Sequence, residues 1–254
     1  IVSFLSWRAI FLLLFAYSVL LWWACFKYLP ESLPASKRQG FSAKFLWDSY
    51  KKVFQSPLFH LKAGTIAFNF AGMFLYVSAA PAFITQHLKL RPDQFGWQFV
   101  PSVAGIFLGA LAANRLAGKI SVWKQVSIGF CFLLGASVFN VVYHFFFPPS
   151  LFWSVAPLFF YTFGMSLVAP GATLLVLDLF PTIRGVVASC QSAAMTFLGA
   201  MIAGIAAPAL DHSVLTLALG QFACALIGAI LWYSGRAYWR AMTNQSQNAW
   251  ETIG

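Results

Sequence analysis

The 254-residue chain is 60% hydrophobic and 18% aromatic, and only 9% of it is charged. A soluble domain is nearer a quarter charged, so this chain lacks the polar material to coat a water-facing surface and its solvent is lipid. The formal charge of +10 does not mark a nucleic-acid binder, because the basic residues stand in short loops between apolar runs and form no stripe, as membrane insertion places them.

Apolar runs at about 9–28, 63–86, 95–116, 124–147, 151–179, 185–210 and 213–235 each supply roughly the 20 residues that cross a bilayer core. The fold class is therefore all-α integral membrane, with one leading span and a set of six. When the end of the first run is placed in the cytoplasm, every Lys and Arg except Arg8, Lys89 and Arg91 falls on the cytoplasmic side, as the positive-inside rule requires. The chain opens at Ile1 with no signal-peptide pattern, and reads as the later half of a protein about twice as long.

In chain order, 1–28 is the leading span and 29–62 is the one long connection. Within it Phe41, Phe45 and Val53 recur near helical spacing, with Lys44, Asp48, Lys51 and Lys52 between them. That pattern predicts a short helix lying at the cytoplasmic interface. A linker between two bundles and a lipid or partner site both fit it. Residues 63–240 form a six-helix bundle and 241–254 a cytoplasmic tail.

Small and polar residues concentrate in the second, third, fifth and sixth runs. The first, fourth and seventh are bulkier (FLLLFAYSVLLWW, FNVVYHFFF, ALIGAILWY), which predicts lipid-facing helices on the outside with a period of three. Gly72-Met73 followed by Ala80-Pro81 is weakly echoed by Gly164-Met165 and Ala169-Pro170, as in transporters built from repeated three-helix units.

Ionisable residues inside a membrane are costly and mark function by default. Asp178 is the only acid within or at the end of a span. Two readings stand: it pairs with Arg184 or caps the following helix, or it is a gating or proton-linked carboxylate. The first makes Asp178 a brace for the turn. His144 lies near the outer end of the fourth run, and His60, His87 and His212 sit at loops. No two His, and no His with a carboxylate, share a helix face, so neither a metal site nor a nucleophile–base pair is read. Cys25, Cys131, Cys190 and Cys224 stand singly, as packing residues.

Asn69, Met73, Tyr76, Tyr161, Met165 and Gln191 are the candidate substrate-cavity residues. Each polar one has the alternative of a hydrogen bond to a neighbouring helix. Pro81 and Pro170, the latter strengthened by Gly171, are candidate helix bends. Gly109 and Arg115 in GALAANRLAGK form, with Asp178 and Arg184, the candidate gating turns on the cytoplasmic side.

Several ordered stretches resemble the major facilitator superfamily. Trp7-Arg8-x-Ile10-Phe11 and Leu29-Pro30-Glu31-Ser32-Leu33 resemble the two ends of its span six. NFAGMFLYVSAAPAFI (Asn69 to Ile84) is similar to span seven, and Leu90-x-Pro92-x-x-Phe95-Gly96 to the start of span eight. Arg184-Gly185-x-x-Ala188-Ser189-x-Gln191 is similar to the start of span eleven. The set looks like the bicyclomycin/chloramphenicol resistance (Bcr/CflA) branch of bacterial drug:proton antiporters. The resemblance implies spans six to twelve of a twelve-helix fold, with spans seven and ten beside a central cavity and alternating access by rocking bundles. It also implies that the first, fourth and seventh runs are the outer spans six, nine and twelve. GALAANRLAGK resembles the superfamily's Gly-rich basic loop, but Asn114 stands where an acid is usual.

What the resemblance implies is proton-coupled multidrug efflux across the bacterial inner membrane, with no enzymatic step and no cofactor beyond the proton gradient. The implied partners are a small amphipathic drug-like substrate, the lipid bilayer and the N-terminal half of the same protein. A metabolite carrier on the same fold is the alternative. It would want a fixed charge in the cavity, and the sequence places none in mid-membrane. An integral-membrane enzyme would need a His or carboxylate cluster at one face.

Overall fold

A computed structural model describes residues 7–30 and 42–251. Residues 31–41 lie outside that description, and with them Leu33 of the LPESL stretch and Phe41 of the predicted interfacial pattern. The chain divides into two compact units, Ile1–Ala43 and Lys44–Gly254. Among the described residues every regular element is helical.

The first unit holds α1 (Trp7–Tyr28), a lone apolar helix with no core of its own. Trp22 stacks on Phe26 at 5.9 Å. Near the C-terminal end of α1, Lys27 Nζ stands 4.9 Å from the Trp23 ring and 5.5 Å from Tyr28, so its charge is held among aromatic rings.

The second unit begins with α2 (Ala43–Phe54), whose Val53 is fully buried in the bundle core. The spans follow as α3 (Pro57–Ser78), α4 (Gly96–Leu116), α5 (Val122–Phe146), α6 (Leu151–Leu177), α7 (Arg184–Met201) and α9 (Val214–Glu251); a π-turn (Ile202–Ala206) and the short α8 (Ala207–Leu210) extend α7. With α1 they make seven helices long and apolar enough to cross a membrane among the described residues, in the order the hydropathy predicts. Ser56 caps α3 by accepting from the Phe59 N–H, with Pro57 at the first helical position. Ser121 caps α5 in the same way through Lys124 N–H. Both satisfy donors that every helix start leaves open.

Helix α3 stops at Ser78, three residues before Pro81, and the chain resumes as a π-turn over Ala82–His87. Pro81 has no N–H to give the Val77 carbonyl one turn back, which is why the regular ladder ends there. By contrast α6 is continuous through Pro157 and Pro170. At Gly171 an added Cβ would lie 2.9 Å from Val122 Cγ1 and 3.3 Å from Val126 Cγ2. That glycine lets α5 close on α6.

Helices α3 and α6 sit centrally. Helix α3 packs on α9, α7 and α6, and α6 packs on α5 and α4. Within this chain taken alone, the fourth and seventh runs are not the least covered. The most apolar stretches of α5 and α9 are 39% and 44% buried, against 17% for α4 and 11% for α7. Bulk averaged over a whole helix hides its two faces. Along α5, Val126, Phe130, Leu133, Ser137 and Asn140 are buried while Phe132, Phe139 and Phe145 are exposed. In α4 the small residues make one narrow stripe: a Cβ on Gly105 would strike Thr162 Oγ1 and the Phe159 carbonyl, and one on Gly109 the Phe163 carbonyl. Backbone contact at that stripe leaves the rest of α4 uncovered.

Candidate substrate cavity

A cavity of about 150 Å³ lies between α3, α4, α6 and α9, near the C-terminal end of α3. Its walls are Met73, Tyr76 and Val77 of α3, Gln98, Phe99 and Ser102 of α4, Leu158, Tyr161 and Thr162 of α6, and Gln221 of α9, together with Val103 and Ile106. No lining residue carries a formal charge. Aromatic and thioether surface surrounds a few amides and hydroxyls, the composition of a small-molecule site.

The polar members are placed by a network that joins five helices. Ending α3 at Ser78 leaves its last carbonyls without intrahelical donors. Gln98 Nε2 donates to one of them, Tyr76 O, at 2.7 Å. The Tyr76 hydroxyl accepts from Asn140 Nδ2 of α5 at 2.9 Å, and the same Nδ2 donates to Gln221 Oε1 of α9 at 3.2 Å. His144 continues the network. The Asn140 carbonyl, which only accepts, lies 2.8 Å from Nδ1, so Nδ1 carries the proton and Nε2 accepts from the Ser154 hydroxyl at 2.9 Å. The Tyr161 hydroxyl donates to Asn69 O at 3.0 Å.

Of the six predicted cavity residues, the structure brings Met73, Tyr76 and Tyr161 together on this cavity. Asn69 is buried one turn deeper, its side chain against Gly228 of α9 with no hydrogen-bond partner for either amide atom. Met165 packs against the core. Gln191 stands apart on α7, donating to Thr173 Oγ1 at 3.1 Å while its Oε1 stays unpaired. Sequence reasoning missed Gln98, Asn140 and Gln221. The signal was present, since an amide inside an apolar run needs a partner, but for Asn140 and Gln221 it was masked by the bulk of the fourth and seventh runs.

A second cavity, of about 720 Å³, opens where α4 ends, α5 begins and α6 ends. Asn114, Gln125, Ser166, Pro170, Gly171 and Thr173 are among its walls. Gln125 Nε2 donates to Leu167 O at 3.1 Å. The Gly105 and Gly109 crossing of α4 on α6 lies between the two cavities along the same seam. Gly109 thus serves helix contact, while Arg115 is exposed at the end of α4. Asp178 ends α6, and its Oδ1 accepts from Arg184 Nη2 at 2.6 Å; both side chains are about half exposed. This is the ion pair that the first of the two readings of Asp178 requires.

One buried cation escaped the sequence reading. Lys62 of α3 is 3% exposed. Its Nζ lies 5.8 Å from the Trp123 ring and 5.2 Å from Trp239, and donates to Leu175 O at 3.4 Å. Leu175 is in the last turn of α6, where orphan carbonyls and the helix dipole favour a cation. Arg236 lies over the same Trp123 ring at 5.4 Å.

Seven apolar helices long enough to cross a membrane among the described residues, with a cavity of uncharged polar walls inside the second unit, define a polytopic membrane protein. Residues 1–204 match the sequence profile of the Major Facilitator Superfamily, and the chain belongs to that superfamily. It is similar to Multidrug resistance protein MdtM of Escherichia coli K12, 27% identical over 67% of this chain and 41% of the relative. It is 26% identical to Chloramphenicol resistance protein CraA of Acinetobacter baumannii, over 56% of this chain and 34% of the relative. It is also 26% identical to Multidrug transporter MdfA of Edwardsiella piscicida, over 91% of this chain and 55% of the relative. The chain thus spans about half the length, or less, of the curated relatives it matches.

Proposed function

We propose that this chain forms the C-terminal half, spans six to twelve, of a proton-coupled multidrug exporter of the Bcr/CflA branch, working by alternating access in the bacterial inner membrane. The observation that carries the reading is the cavity. Aromatic and thioether walls with amides and hydroxyls but no fixed charge suit amphipathic molecules of varied shape, which bind by apolar area and a few polar anchors. The names of the relatives point the same way. The uncovered faces of α4 and α7 suit a second bundle, supplied by an N-terminal half. A metabolite carrier would want a charge among the lining residues, and none is there.

The test is drug efflux from cells that lack other pumps, with the protein expressed from its complete gene. Expression should lower ethidium accumulation, and collapsing the proton gradient should restore it. Ser102→Leu, which fills the cavity from α4, should weaken efflux at equal expression. Efflux that ignores the gradient removes proton coupling, and no efflux of any drug removes the exporter reading.

A further inference from the structure

Helix α2 is fixed to the bundle by one face. Val53 and Ser49 are buried there, with Leu46 partly buried on the same side. Only Gln55 and Ser56 separate α2 from α3, and His60 Nε2 donates across that joint to the Phe54 carbonyl at 2.7 Å. Helix α3 has 22 residues, about 33 Å at 1.5 Å each, close to the thickness of a bilayer core. The start of α3 therefore lies at one edge of the core, and α2, held against the bundle beside it, lies among the headgroups.

The rest of α2 is sorted by angle. At about 100° per residue, Tyr50 and Phe54 fall within about 60° of Trp47, on the side toward the buried face. Lys44 and Lys51 fall within about 60° on the other side, and Asp48 about 100° round. Trp47 is 72% exposed and Phe54 57%, with Tyr50 also exposed. Three rings thus make an uncovered stripe, with two lysines along its far edge and the carboxylate turned away. Among the described residues the ion pairs are Arg91–Asp93 and Arg184–Asp178, so neither lysine has an acid. Lys52, beyond Asp48, lies over the Phe180 ring at 6.0 Å. Rings at the acyl boundary with ammonium groups beside them are the arrangement of an interfacial helix, and cations without acids call for a surface of net negative charge.

We propose that α2 docks on anionic phospholipid, with Trp47, Tyr50 and Phe54 at the headgroup–acyl boundary and Lys44 and Lys51 on the phosphates. The site depends on membrane insertion alone and stands whether or not the protein exports drugs. Each lysine at such a surface is worth about fivefold in association.

Fluorescence quenching in vesicles tests this on the full-length protein, with exposed cysteines replaced by Ser and a bimane label on Gln55→Cys, an exposed position next to Phe54. The vesicles mix phosphatidylcholine and phosphatidylglycerol, and one or the other carries a nitroxide on its acyl chain. Quenching against mole fraction gives the association of phosphatidylglycerol at α2 relative to phosphatidylcholine. That ratio should be about fivefold or more and should fall with added salt. Lys44→Gln with Lys51→Gln should bring it close to one at an unchanged unfolding temperature, and each single variant should fall between. A ratio of one with both lysines present, or a ratio that the double variant leaves unmoved, overturns the proposal. Quenching by neither lipid means that protein covers the rings, as the other half of the transporter would, and overturns it too. A preference abolished by millimolar inorganic phosphate marks a small-anion site in place of a membrane surface, with the same result.

Discussion

Gly72→Ala probes how tightly α3 is held against α6. A Cβ at Gly72 would overlap the Tyr161 hydroxyl and stand 2.9 Å from Tyr161 Cζ and 3.2 Å from Cys224 Cβ. Tyr161 is fully buried, so the ring has little room to retreat. Overpacking of this kind costs about 1–3 kcal/mol. Displacing the hydroxyl also sacrifices its bond to Asn69 O, worth ~0.6 kcal/mol within a membrane. Alanine returns ~1 kcal/mol of helix propensity, which leaves a net loss of about 1–2 kcal/mol and a fall in unfolding temperature of roughly 3–6 °C. Tyr161→Phe alone costs only the hydrogen bond. Combined with Gly72→Ala it removes the worst overlap, so the double variant should lose less than the two singles together, by about 1 kcal/mol. The assay is thermal unfolding in detergent with a thiol-reactive dye. Buried Cys190 and Cys224 are the reporters, with exposed Cys25 and Cys131 changed to Ser. If Gly72→Ala melts at the wild-type temperature, or the double variant shows strict additivity, the packing described for this crossing is wrong.

Asn140→Leu should destabilise by about 1–2 kcal/mol, because it removes the bonds to Tyr76 and Gln221; denaturant unfolding checks it, and a lipid-facing position would be indifferent. Asp178→Asn breaks an ion pair that is about half exposed, so unfolding should shift by less than ~1 kcal/mol. A large loss of efflux with that small shift would assign Asp178 to gating rather than bracing. Lys62→Met should leave the unfolding temperature unchanged or higher, since it removes a buried charge with its hydrophobic stem kept. Lys62→Glu should cost about 3–5 kcal/mol by setting a carboxylate against the Leu175 carbonyl, read as lost expression of folded protein.

The spans were legible because hydropathy is a local property; each run carries its own ~20 residues. The Asp178–Arg184 pair was legible for the same reason, its partners being six residues apart. Met73, Tyr76 and Tyr161 could be placed near a cavity because polar and adaptable side chains cluster on the second and fifth runs. The pattern could not say what stands opposite. Asn69 is two turns from Tyr76 on the same helix, yet it meets a glycine of α9 while Tyr76 meets an amide of α5. The Asn140–Gln221 contact joins residues 81 positions apart, and nothing in either run names the other. Whole-run bulk also hid the amide of α5, whose Phe132, Phe139 and Phe145 are exposed while Asn140 is buried.

The hydrogen bond from Lys62 to Leu175 has a consequence in time. The two residues are 113 positions apart. At a translation rate of about 5–20 residues per second, roughly 6–20 s separate their synthesis. Throughout that interval α3 is in the bilayer and its acceptor does not yet exist. Lys62 must wait near the headgroups, its ammonium in water and its stem along the helix, and so it moors the N-terminal end of α3 at a fixed depth. When α6 arrives, its last turn meets an ammonium already standing at that level. A residue that closes the finished bundle thereby also sets the vertical register in which the bundle is assembled.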